Sequence, residues 1–101
     1  MILLTAKQKE QYTRELIEVF QKASEDKKLL DSFLIDVLTP REYEEMCLRW
    51  QIIKQLYRGI PQRKIAENLG VGIATITRGS RELRDKNGGF NQVLEKHYKR
   101  K

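Results

Sequence analysis

A single cysteine, Cys47, rules out a disulfide within the 101-residue chain and suits a reducing compartment. One histidine, His97, beside that one cysteine makes no metal site, and no glycine-rich phosphate loop is present. With no catalytic constellation to assign, no enzyme activity is expected. His97 lies in a basic tail and reads as a solvated residue. No apolar run approaches membrane-spanning length. The apolar opening Met1-Ile2-Leu3-Leu4 is too short for the core of a signal peptide and meets Lys7 and Lys9 at once. The expectation is a soluble, cytoplasmic protein with no membrane partner. Two prolines and few aromatics, against many Leu, Ile, Lys, Glu and Gln, favour helix over sheet. The length suits one domain over residues 1–101, small enough that dimerisation would help it.

The net charge is +6, and its distribution says more than its total. Residues 1–59 hold ten Lys and Arg against ten Asp and Glu, whereas residues 60–101 hold ten against four. A neutral scaffold is thus followed by a cationic working surface, compatible with a polyanionic partner. The Lys96 to Lys101 cluster reads as a solvated helix end that can also touch phosphates.

Apolar residues recur at helical spacing along most of the chain. A first helix is expected over 5–24, carrying Tyr12, Leu16, Val19, Phe20 and Ala23. A shorter second helix carries Leu29, Leu30, Phe33, Leu34, Val37 and Leu38. Thr39-Pro40-Arg41-Glu42 is a helix start: Thr39 caps, Pro40 suits the first helical position and Glu42 completes a capping box. That third helix runs to about Arg58 and ends at Gly59. Its apolar residues, among them Tyr43, Met46, Cys47, Leu48, Trp50, Ile52, Ile53, Leu56 and Tyr57, wrap most of its circumference. A helix on the outside of a monomer needs only a stripe, so this one is expected to be central or part of a dimer core. Arg49 projects into the apolar arc. Its two readings are a surface pair with Glu45 one turn earlier and a functional role. Residues 5–58 therefore read as dimerisation and core helices.

Residues 61–85 carry the strongest signal. Two short helices, near 61–68 and 72–85, flank the turn Leu69-Gly70-Val71. Ile65 and Leu69 face inward, Ala66 is small at the crossing, and Gly70 supplies a left-handed turn. Ile73 and Ile76 open the second helix, interleaved with Ala74, Thr75 and Thr77, whose short side chains let a helix enter the major groove. The pattern is that of a helix-turn-helix. A plain helical hairpin shares the spacing, but the surrounding basic surplus favours DNA. Where a branched aliphatic would ordinarily follow Ile76 by three residues stands Gly79, at a cost of about 1 kcal/mol against alanine. Either two helices touch closely there, or the glycine opens a slot for a flat ligand beside Arg78. On the slot reading, Gly79→Leu abolishes the ligand response and leaves a folded dimer. A last helix is expected over 90–99, after the turn Asn87-Gly88-Gly89.

The run Gly72-Ile73-Ala74-Thr75-Ile76-Thr77-Arg78-Gly79-Ser80, with Leu38-Thr39-Pro40, Arg49 and Gln62-Arg63, closely resembles the bacterial tryptophan repressor family. The similarity spans about residues 29–84, with a weaker helical correspondence at each end. It implies an all-α, six-helix intertwined homodimer with a helix-turn-helix reading head, binding L-tryptophan as corepressor and a palindromic operator in double-stranded DNA, in a docking geometry already described for that family. By position, Arg49 and Arg78 match the pair that sandwiches the indole. Thr39 and Arg78 match carboxylate contacts, and Leu38 a backbone carbonyl toward the ammonium. Ile53 and Gly79 line the ring, and Thr75 falls on both a pocket and an operator position. Gln62, Arg63, Ile73, Ala74 and Thr77 match DNA-facing positions.

The chain also departs from the family. Glu82 stands where some relatives have a serine near the ligand ammonium, and Asp36 replaces an apolar residue beside the pocket. Both acids suit an ammonium, and both leave the preference for tryptophan open. Pro61 replaces a common capping residue, and Ala66 lacks a basic side chain found in some members. The alternative function is a helix-turn-helix regulator that works without corepressor or answers to another small amino acid or aromatic ligand.

Overall fold

In the computed structural model, residues 3–99 are described. Met1 and Ile2 of the apolar opening, and Arg100 and Lys101 of the basic tail, lie outside them. The described residues form six α-helices and no strand: α1 (Ala6–Ala23), α2 (Lys27–Val37), α3 (Pro40–Tyr57), α4 (Gln62–Leu69), α5 (Ile73–Glu82) and α6 (Gly89–His97). The all-helical expectation holds. The Cα positions group into two compact units, Met1–Tyr43 and Glu44–Lys101, with the boundary inside α3.

The N-terminal unit is held by local chemistry more than by a core. Thr5 and Gln8 form a capping box at the start of α1: the Gln8 N–H donates to Thr5 Oγ1 at 3.1 Å, and the Thr5 N–H to Gln8 Oε1 at 3.0 Å. The Asp26 carboxylate accepts from the Lys28 N–H at 2.9 Å and opens α2. Phe20 and Phe33 meet edge to face, 5.3 Å between centroids, and join the two helices. The Tyr43 hydroxyl donates to Asp31. Ala23 is the one buried residue of this unit among those described. Tyr12, Leu16, Val19, Leu29 and Val37 of the expected stripes are exposed, as are Ile17 and Ile35. Two helices and one further turn cannot enclose that much apolar surface on their own.

The C-terminal unit has a core. Ile52 of α3, Ile65 of α4 and Ile76 of α5 are buried together, with Leu48, Leu56, Ile60, Ala66, Leu69 and Val71 packed around them. Two glycine turns set the chain path. At Gly59 (φ 80°) the Gly59 N–H donates to the Leu56 carbonyl and the Ile60 N–H to the Gln55 carbonyl. At Gly70 (φ 66°) the Gly70 N–H donates to Glu67 and the Val71 N–H to Ala66. Both are Schellman closures, and each sends its following residue, Ile60 or Val71, back into the core. α5 stops at Glu82, three residues short of the expected end. The Asn91 amide, almost buried, takes the Leu83 and Asp85 carbonyls at 3.0 and 2.8 Å, so those carbonyls serve as an anchor for α6. Trp50 against Tyr98 and the Tyr57 hydroxyl donating to Glu95 tie α6 to α3. Of the apolar residues that wrap α3, the chain buries Ile52 and Ile53 and leaves Met46 and Cys47 exposed.

Gly79 is explained by contact. A Cβ there would meet Ile52 Cγ2 at 2.9 Å, with Leu56 and Ile53 methyls at 3.6 and 3.8 Å. Ile52 is 2% exposed and β-branched, so its methyl has little room to yield. The glycine lets α5 lie directly on α3, and this corrects the expectation for Gly79→Leu: any side chain there disturbs packing before it fills a slot. Gly79→Ala should lower stability by about 1 kcal/mol in urea unfolding, since about 1–3 kcal/mol of overpacking exceeds the roughly 1 kcal/mol gained in helix propensity. A net gain would mean the crossing is not limited by contact. Gly70→Ala should also cost about 1 kcal/mol through left-handed backbone strain. Gly72→Ala, at φ −69° with open space around it, should be neutral or slightly stabilising.

Candidate functional site

α4 and α5 present one face to solvent. On α5 Ile76 is fully buried, whereas Ile73, Ala74, Thr75 and Arg78 are exposed. Ile73, a large aliphatic side chain, is 50% exposed there. Arg63 is exposed on α4, while Gln62 and Thr77 are half-buried and bonded to each other. The Thr77 hydroxyl is 2.9 Å from Gln62 Oε1 and 3.1 Å from the Ile73 carbonyl, and its one proton serves these two acceptors. Two side chains that the sequence suggests as separate DNA contacts thus form a latch between the first turn of α4 and the middle of α5. Nothing in their spacing signals it. Neither helix start has a side-chain cap, because Pro61 and Gly72 occupy the cap positions. The first N–H groups of α5 therefore point out beside the exposed face, where an anion is favoured.

Behind that face, α3 and α5 enclose a cavity of about 400 Å³. Ile52 and Ile53, both 2% exposed, make an apolar floor, and Leu48 and Phe90 add to the apolar wall. Gly79 and Thr75 line the α5 side. Charges ring the opening: Arg49 and Glu45 from α3, Arg78 and Glu82 from α5. Among the described residues, Arg49, Arg78 and Glu82 make no side-chain hydrogen bond or ion pair. The surface pairing of Arg49 with Glu45 is therefore not made. An apolar floor under charged groups of both signs suits a small ligand with a flat apolar body and a polar end.

Five of the expected ligand residues, Arg49, Ile53, Thr75, Arg78 and Gly79, line this one cavity, as does Glu82, noted in the sequence as a departure beside the ammonium position. All the lining side chains belong to the C-terminal unit. Leu38 and Thr39 belong to the N-terminal unit, as does the exposed Asp36. Thr39 has the expected capping box: the Glu42 N–H donates to Thr39 Oγ1 at 3.2 Å, and the Thr39 N–H to Glu42 Oε1 at 2.8 Å. The Thr39 backbone N–H first, and then the Thr39 hydroxyl, hydrogen-bond the Glu42 carboxylate and hold its pKa below the ordinary value. Leu38 is extended, just beyond α2. Glu45, Leu48 and Ile52 were not marked, although they share the Arg49 side of α3 and helical periodicity could have found them. Phe90 could not be found that way, because its place depends on α6 folding back after Gly88. Two wider hollows, about 550 and 700 Å³, open around Tyr57 and α6, and none of the expected ligand-binding residues lines them; Lys99 of the basic tail lines the first. The Tyr57 hydroxyl there has its pKa raised by desolvation and then by Glu95. No helix among the described residues is long and apolar enough to cross a membrane. No group of acids, His and Cys among them could hold a metal ion.

The profile of the family described as Trp repressor protein matches residues 10–98. A Trp operon repressor homolog of Vibrio vulnificus (strain YJ016) is 44% identical over 79 residues, covering 73% of this chain and 78% of the relative. One from Mannheimia succiniciproducens is 42% identical over 89 residues, 87% of this chain and 86% of the relative. One from Vibrio parahaemolyticus is 40% identical over 83 residues, 81% and 80%. The resemblance carried by residues 72–80 thus extends over most of the chain, and the protein belongs to the Trp repressor family, as a DNA-binding transcriptional repressor and not an enzyme.

Proposed function

We propose that this repressor takes L-tryptophan as its corepressor and binds a palindromic operator as a homodimer in the cytoplasm. The observation that carries the proposal is the cavity between α3 and α5, in which Arg49, Ile53, Thr75, Arg78 and Gly79 converge. An indole lies on the Ile52–Ile53 floor with the Arg49 and Arg78 guanidinium planes over its faces, where cation–π attraction adds to apolar burial. Arg78 also pairs with the carboxylate, and the family resemblance assigns Thr39 to the carboxylate and the Leu38 carbonyl to the ammonium.

Thr75, Arg78 and Gly79 of α5 line the cavity, so a ligand that closes it also fixes how α5 is presented. Tryptophan then favours the one orientation of the reading heads that matches two successive major grooves, a population shift worth on the order of 1–3 kcal/mol. Ile73, Ala74, Thr75 and Thr77 meet base edges, Gln62 braces Thr77, and Arg63 takes a phosphate. The exposed apolar residues of α1 and α2, among them Leu16, Ile17, Leu29 and Ile35, support the homodimer, since a second copy would remove them from water.

A gel-shift titration on DNA upstream of the protein's own gene should show binding strengthened about tenfold or more by millimolar L-tryptophan. Equal binding with and without it would favour a corepressor-independent regulator. Arg63→Ala should weaken binding and reduce the slope of log K against log salt by about 1. An unchanged slope would remove Arg63 from the phosphate contacts.

A further inference from the structure

Glu82 has no structural occupation. It is the last residue of α5, where the helix dipole disfavours a negative charge. It follows Arg78 by one turn, in the less favourable order for a pair within a helix, and no such pair forms among the described residues. Its side chain is exposed and lines the same cavity as Arg49 and Arg78. A carboxylate held at the rim of an aromatic slot, against the helix dipole and without a protein partner, is suited to a cation brought by the ligand.

We infer that Glu82 makes the cavity selective for aromatic ligands that carry an α-ammonium group over deaminated carboxylic acids of the same shape. The inference rests on the reading of the cavity as an amino-acid site. The two arginines alone would not discriminate, since an aromatic propionate offers them the same ring and the same carboxylate. Glu82 separates the two ligands twice over: it attracts the ammonium of the amino acid and repels the bare carboxylate of its deaminated analogue. A zwitterion places one charge of each sign against a rim that carries both signs.

The test is calorimetric titration of the full-length protein with L-tryptophan, indole-3-propionate and tryptamine, repeated on Glu82→Gln and on the control Glu67→Gln, an exposed α4 residue outside the cavity. The native protein should bind L-tryptophan about tenfold or more tightly than indole-3-propionate, the scale of one charge-assisted contact. Glu82→Gln should shrink that preference to about threefold or less, weakening L-tryptophan and tryptamine while strengthening indole-3-propionate. Glu67→Gln should leave it unchanged. Equal affinities in the native protein, or a preference untouched by Glu82→Gln, overturns the inference and leaves the amino-acid site standing. If none of the three indoles binds the native protein, the amino-acid site falls and the inference with it.

Discussion

The backbone of Gly79 lying on the Ile52 side chain is the contact on which the rest of the C-terminal unit depends. With no Cβ at position 79, α5 comes down onto α3 until only side-chain methyls separate them. That approach does two things at once. It seats Ile76 beside Ile52 and Ile65, closing the core that orients the helix-turn-helix. It also brings Arg78, one residue before the glycine, to the same opening as Arg49 on α3. The seating of α5 and the cavity beside it are therefore two sides of one packing event. On the proposed function, a ligand at the opening would touch α5, the proposed reading helix, without any relay through distant residues.

Around this contact the chain spends its special residues on direction. Gly59 and Gly70 each end a helix in a left-handed turn and return an aliphatic residue to the core, so α4 is fixed at both ends by α3 and α5 packing. Asn91 uses the loose carbonyls after α5 as a dock for α6, which in turn places Phe90 against the cavity. The Gln62–Thr77 bond links α4 to the middle of α5 from the outer side. The result is a reading head braced from within by aliphatics and from without by one polar bond. The cavity is left at the edge of that brace, where adjustment costs least.

Much of this was legible in sequence because it rests on local chemistry. Helical periodicity, the Thr39 capping box and the glycines at 59 and 70 are read within a few residues, and the helices start and stop close to where those signals put them. Arg49 and Gly79 stood out as an arginine among apolar neighbours and a glycine inside a helix, and both line one cavity. What could not be read depends on distant parts of the chain meeting. Gly79 both lies against an Ile52 methyl and lines the cavity, a combination its spacing alone does not show. The early end of α5 follows from an asparagine eight residues beyond Leu83. The apolar stripes of α1 and α2 were visible, but their exposure in the single chain was not, because periodicity marks a face for burial without saying what buries it.

The central claim is that a flat amino acid lodges where α5 crosses α3. Isotope-edited NOE spectroscopy of the labelled protein with unlabelled L-tryptophan tests it most directly. Cross-peaks from the indole protons to the Ile53 methyls and the Gly79 α-protons are the predicted result. Saturating tryptophan that produces no such cross-peaks, or places them on residues away from both helices, would contradict it.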